Sequence, residues 1–179
     1  MNSLVPEEHP ALHQIAEEVT KEEFDNGFVD KLIRGMKKAL KAYNVDGFTA
    51  VAIAAPQVGV AKRVFLVDDQ SKERNVLPPL IAINPKIIKA SKKSSLVGEG
   101  CLSVPDRYGA VQRHKNVTLR ALDENGIEYE RGAGGLLAQI FQHECDHLDG
   151  TLFVDRAEKL WDKDDIEANK LKEAGRAIS

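Results

Sequence analysis

An α+β domain is the fold class this sequence predicts, and three observations predict it. An apolar stripe of helical spacing lies near the start. Short apolar and alternating runs fill the middle. A second helical pattern comes after a Gly-Gly pair and stops at a glycine.

At the N-terminal end, Val5 to Ala16 carries two prolines and reads as an extended arm. Asp25 is suited to cap a helix, and Phe28, Leu32, Met36 and Leu40 recur four apart, with Val29 and Ile33 widening the stripe. The spacing predicts one amphipathic helix over Asp25–Tyr43, followed by a loop over Asn44–Thr49. Val64 to Val67 is a short buried strand inside Arg63–Asp68, and Leu80–Ile88 is a second apolar run broken by Asn84 and Pro85. Ser91–Ser95 reads as a polar loop. Val117, Leu119 and Ala121 alternate with polar residues, Asn125-Gly126 signals a turn, and Ile127 and Tyr129 resume the alternation, which makes a β-hairpin. Gly134-Gly135 opens a helix that continues through Leu136, Leu137, Ile140, Phe141, Glu144 and Leu148 and ends at Gly150. From Ala157 onward, Leu160, Trp161, Ile166, Leu171, Ala174 and Ile178 sit among charges and read as a C-terminal amphipathic helix.

The bulk numbers exclude several classes. With 179 residues the chain is long enough for one domain with a core, spanning 1–179 with its terminal helix at about 157–179. Hydrophobic residues at 42% and charged ones at 30% are ordinary for a globular protein, and a net charge of −3 gives no reason to expect DNA or other nucleic acid as a partner. No apolar run reaches the ~18 residues of a membrane helix. Met1–Glu23 lacks the apolar core of a signal peptide and the Arg-rich character of a transit peptide. The expected location is the bacterial cytoplasm, or an organelle if a presequence has been removed. Two cysteines cannot build a disulfide framework, so each is a core residue, a nucleophile or a metal ligand.

His143-Glu144-Cys145-Asp146-His147 is the most informative segment. Positions four apart share a helix face, so both imidazoles reach one metal ion, while Glu144, about 100° around, touches a water on that metal without being a ligand. The bland alternative is a helix with two partly exposed histidines. A site needs a third ligand. The extended pattern of three-histidine proteases continues to Gly150, but its last position is Phe153, which cannot bind metal. Glu167, 20 residues beyond His147, is a second possibility, against a solvated face of the charged tail. Cys145 lies about 200° from His143, on the opposite face, and reads as a packed thiol. Cys101 sits in Glu99-Gly100-Cys101-Leu102-Ser103-Val104-Pro105, a bent segment between glycine and proline; taken alone, it is also readable as a small buried hydrophobe.

Three segments together resemble the peptide deformylase family. Its Glu-Gly-Cys-Leu-Ser motif is matched in full at residues 99–103, and its Gln-His-Glu-x-Asp-His-Leu motif at Gln142–Leu148. Its Gly-x-Gly-Leu-Ala-Ala-x-Gln motif appears as Ala50-Val51-Ala52-Ile53-Ala54-Ala55-Pro56-Gln57, and Gly135-Leu136-Leu137-Ala138 is also similar. The resemblance covers residues 4–156, and the tail is similar to the bacterial subclass that ends in a helix. It implies antiparallel β-sheets packed around a central metal-binding helix, with N-terminal and C-terminal helices.

The resemblance also implies the chemistry. The enzyme removes the formyl group from the N-terminal methionine of nascent chains. Cys101, His143 and His147 hold one divalent metal ion, Fe²⁺ in the cell, with Zn²⁺, Ni²⁺ or Co²⁺ as substitutes. Glu144 is the general base and acid. The side-chain amide of Gln57 and the backbone N–H of Leu102 stabilise the oxyanion. Val51, Leu136 and Ile140 line a pocket for the methionine side chain, with Ala52 and Gly100 beside the peptide, and Glu99 makes structural contacts near the metal loop. Lys170, Lys172 and Arg176 in the terminal helix are candidates for ribosomal contact, against the alternative of a solvated helix end. Ala50 and Ala52 replace both glycines of the first motif, and Ile53 replaces leucine. A methyl at Ala52 is expected to crowd the peptide. Two readings compete: a His-Glu-x-x-His endopeptidase with Glu167 as third ligand, and an inactive member that keeps the fold as a binding module.

Overall fold

The computed structural model describes residues 3–43, 50–69 and 77–165. Its short helix α1 (Lys21–Asp25) and long helix α2 (Phe28–Ala42) are followed by β1 (Ala52–Ala54), β2 (Val64–Val67), β3 (Leu80–Ala90), β4 (Ser94–Cys101), β5 (Val104–His114), β6 (Asn116–Leu122) and β7 (Glu128–Gly134). Helix α3 (Gly135–Leu148), the short α4 (Phe153–Arg156) and β8 (Lys159–Asp162) complete it, with 3₁₀ turns at Pro10–Leu12 and Ala55–Val58. The strands form two antiparallel sheets, ordered β1-β2-β3-β6-β7 and β4-β5-β8.

The larger sheet is covered on both faces, which is why Val64–Val67 reads as a continuous apolar run. Phe65 and Val67 face a cluster with Leu119, Ala138, Phe141 and Leu148, so α3 packs on that side. Val64 and Leu66 face Val29, Leu32, Ile33, Met36 and Leu40 of α2 on the other. A third cluster, with Leu12, Val104, Val111, Leu152 and Phe153, joins the smaller sheet to α4 and the N-terminal turn, and Cys101 belongs to it. β1 and β4 are the outer strands of their sheets.

Several elements differ from expectation. The single helix over Asp25–Tyr43 is two: Asp25 ends α1, where it pairs with Lys21, and Gly27 at φ +78° starts α2. Thr20, not Asp25, is the capping residue, in a box with Glu23. The extended arm contains the 3₁₀ turn at Pro10–Leu12. Ser94 and Ser95 belong to β4, not to a loop. Asn84, at φ +51°, marks the irregularity at which β3 shifts its register on β6 without ending. The loop predicted over Asn44–Thr49 lies outside the described residues.

The terminal helix does not begin at Ala157. Lys159–Asp162 is a strand, paired with Arg107–Ala110 of β5, because that edge is open and Leu160 and Trp161 can cover it. The remainder of the predicted helix, 166–179, lies outside the described residues. The hairpin is found as β6 and β7, with Gly126 at φ +76° in its turn. Gly150 comes after α3 at φ +70°, and a Cβ there would lie 2.8 Å from the backbone of Gln14, so only glycine fits.

Candidate metal centre

Helix α3 places His143 and His147 one turn apart, with ring centroids 4.9 Å apart and edge-on. β4 ends at Cys101, and the turn into β5 aims its sulfur at the helix. Cys101 Sγ lies 3.2 Å from His147 Nε2, and one ligand atom from each of Cys101, His143 and His147 falls within 4.8 Å of the others. No other such group of three exists among the described residues.

The donors suit a divalent metal. His143 Nδ1 is tied to Glu99 Oε2 at 3.0 Å, which orients the ring and leaves Nε2 for the centre. Glu99 is in turn gripped by Arg113 Nε and Nη2 at 2.7 and 2.9 Å. Arg113 Nη1 reaches Asp146 at 2.6 Å, and Arg156 adds a contact to Asp146 at 2.9 Å. Burial pushes the Cys101 thiol up, but the charge of His147 and hydrogen bonds from both imidazoles overcome this and bring its pKa down to about 5. A thiolate ready at neutral pH is what a metal ligand requires. Burial lowers His143, yet its bonds to Cys101 and Glu99 hold it well above the usual histidine range. Burial raises Glu99, and Arg113 and His143 outweigh it to hold the carboxylate at about 2.

Glu144 is 4% exposed, and its Oε2 has no hydrogen-bond partner among the described residues. Burial raises its pKa. A buried carboxylate oxygen without a partner is costly unless a ligand or water uses it. Gln57, 2% exposed, has a fixed orientation. Its Oε1 accepts the Ala54 N–H at 2.8 Å, which turns Nε2 toward Ser103 Oγ at 3.3 Å and Cys101 Sγ at 3.5 Å. The amide therefore donates into the centre.

These groups sit at the floor of a cavity of about 260 Å³. Val51, Ala52, Gly100, Leu102, Leu136 and Ile140 all line it, as do Gln57, Cys101, His143 and Glu144. Its lining comes from the chain entering β1, from β4 and from α3, and β1 and β4 are outer strands of their sheets. Ala52 lines this cavity and also belongs to the cluster under α3 that includes Ala54, Phe65 and Ile140.

The remaining candidates differ. Cys145 packs in that same cluster, and burial pushes its thiol up to about 12. Phe153, which has no ligand atom, stacks on His143 at 6.4 Å between centroids. Glu167 lies outside the described residues, and among these Cys101 is the third donor beside the two histidines. Sequence reasoning missed Arg113 and left Asp146 without a role. Arg113 is one charged residue in an irregular strand, and nothing local shows that it spans Glu99 and Asp146. Gln139 was also missed, although it lies at the cavity wall.

Comparison with known proteins agrees with this geometry. The family described as polypeptide deformylase matches residues 1–163, a span that takes in β8. A peptide deformylase of Rhizorhabdus wittichii is 42% identical over 131 residues, covering 71% of this chain and 73% of that one. A class I type b peptide deformylase from Acinetobacter baumannii, solved with Met-Ala-Ser bound, is 34% identical with a TM-score of 0.78, covering 87% of this chain and 98% of that one. A peptide deformylase from Synechococcus elongatus in complex with actinonin is 38% identical with a TM-score of 0.74, covering 87% of this chain and 78% of that one. The motifs, the two sheets and the Cys-His-His cluster thus occur together, and the chain belongs to the peptide deformylase family.

Proposed function

We propose that this protein hydrolyses the N-formyl group of nascent polypeptides beginning with formyl-methionine, releasing formate and a free amine. The observation that carries this reading is the convergence of Cys101, His143 and His147 beside the unpartnered Glu144 carboxylate and the inward-facing Gln57 amide. Cys101 Sγ and the two imidazoles would hold a divalent ion, which when bound would supply Lewis acidity to lower the pKa of water. Glu144 takes the proton of the attacking water and delivers it to the methionine nitrogen as the C–N bond breaks. Its raised pKa suits both halves of that task. Gln57 Nε2 and the Leu102 N–H donate to the formyl oxygen as it gains charge. Glu99, held by Arg113, keeps His143 in one orientation. Val51, Leu136 and Ile140 form the wall against which the methionine side chain rests, while the main chains of Ala52 and Gly100 flank the peptide.

A thiolate with two imidazoles suits Fe²⁺ and Zn²⁺, and we assign Fe²⁺ as the ion in the cell, replaceable by Zn²⁺, Ni²⁺ or Co²⁺. The assigned compartment is the bacterial cytoplasm, and the basic tail residues Lys170, Lys172 and Arg176 are assigned to ribosome contact. The test is formate release from formyl-Met-Ala by anaerobically purified protein, with metal analysis of the same sample. Turnover should vanish with a chelator and return with Fe²⁺. Metal-loaded protein that releases no formate would overturn the reading.

A further inference from the structure

The free edge of β4 is partly blocked. Gly98 stands opposite Ala110 of β5, and the Ala110 carbonyl accepts the Glu158 N–H, on the β8 side. In an antiparallel pair, a residue whose backbone groups point outward faces one that also points outward. The Gly98 backbone therefore faces the free edge, as does that of Gly100, opposite Tyr108. At that edge the Gly98 carbonyl accepts a hydrogen bond of 2.9 Å from Gln139 Nε2. Gln139 comes from α3, one turn before His143, and lines the cavity.

We propose that Gln139 is a specificity-determining residue that weakens main-chain pairing of the substrate beyond Gly100. This rests on the deformylase reading above. β4 runs toward Cys101, so a peptide with its formyl group at the metal runs away along β4, antiparallel to it. The peptide residue level with Gly98 is then two positions further from the formyl end than the one level with Gly100. There the peptide N–H meets a carbonyl already bonded to Gln139. Exchanging one hydrogen bond for another brings no gain, so only the Gly98 N–H is left to pair with the peptide at that level, and main-chain affinity grows less there than at Gly100. The enzyme thereby favours the start of a nascent chain over its later residues.

Gln139→Met keeps the side-chain length and removes the donor; Gln139→Leu is a second shape. Circular dichroism establishes that each variant is folded. For each protein, kcat/KM is measured on formyl-Met-Ala, formyl-Met-Ala-Ser and formyl-Met-Ala-Ser-Ala. Each added residue should raise kcat/KM less in the wild type than in the variants. At the peptide length that reaches Gly98, both variants should gain about 2–10-fold more than the wild type, the scale of one net hydrogen bond, and the gain should appear in KM. Variants that gain no more with length than the wild type overturn the inference while leaving the deformylase reading intact. Formate release from none of the peptides overturns both.

Discussion

The two cysteines belong to different clusters, Cys101 beside the imidazoles and Cys145 under α3, and their thiols should behave oppositely. Cys101 is held near pKa 5 by the imidazoles, and Cys145 near 12 by burial. A lowered pKa keeps the thiolate from alkaline pH down to about 5, where it is lost. In metal-stripped protein, iodoacetamide at pH 7 should label Cys101 and spare Cys145, with the Cys101 rate falling as pH drops through 5. Mass spectrometry of the labelled peptides reads the outcome; equal labelling would contradict the assignment. Glu144→Ala should retain metal and lose ~10²–10⁴-fold in kcat, as expected for a general base. Gln57→Leu should retain metal and lose ~10²–10³-fold, as expected for an oxyanion donor. Near-normal rates in both would show that these side chains do not act on the reacting atoms. At this scale the Cys-His-His group was legible, because Glu99–Ser103 and Gln142–Leu148 carry its donors and the proposed base within short segments. Arg113 was not, since its two carboxylates come from β4 and α3 and no spacing in sequence links them. Ala52 lines the cavity and also belongs to the cluster under α3, so whether its methyl crowds the peptide is read from KM of Ala52→Gly, which should fall if it does.

Helix α3 depends on its exit as much as on its apolar face. Gly150 lets the chain turn at positive φ while passing within contact of Gln14. Gly150→Ala should therefore cost more than ~1 kcal/mol in urea unfolding. Gly132→Ala, where a Cβ meets nothing within 4 Å, is the control and should cost far less. Equal effects would mean that the close approach is unimportant. The Arg113–Glu99 pair joins β5 to β4 beneath the centre. Glu99 has a depressed folded pKa of about 2, so its stabilisation is present above its ordinary 4.5 and is lost as pH falls from there toward 2. Wild-type stability should fall across that window, and Glu99→Gln should flatten the fall. Local patterns identified α3, β2 and the β6–β7 hairpin, whose partners are near in sequence or whose periodicity is strong. They did not reveal β4, β5 and β8. β4 pairs with β5 across a short turn, but its two glycines weaken the strand pattern; β8 has a charged surround, and its pairing is decided by the open edge of β5, far back along the chain.

At the scale of the molecule, the metal would join the end of β4 in the smaller sheet to the helix that covers the larger one. Binding of this kind stabilises the folded state by mass action, by ~2.7 kcal/mol at one hundred times Kd. Removing the metal should lower Tm by about 5–10 °C for a domain of this size. Differential scanning calorimetry with and without a chelator checks it, and an unchanged Tm would mean that the cluster binds no metal in the folded protein. The most direct measurement compares bound metal and formate release in wild type and Cys101→Ala, both purified without oxygen. The account predicts about one divalent ion per chain and turnover of formyl-Met-Ala in the wild type, with both lost on replacing Cys101. A variant that keeps its metal, or a metal-loaded wild type that releases no formate, would contradict it.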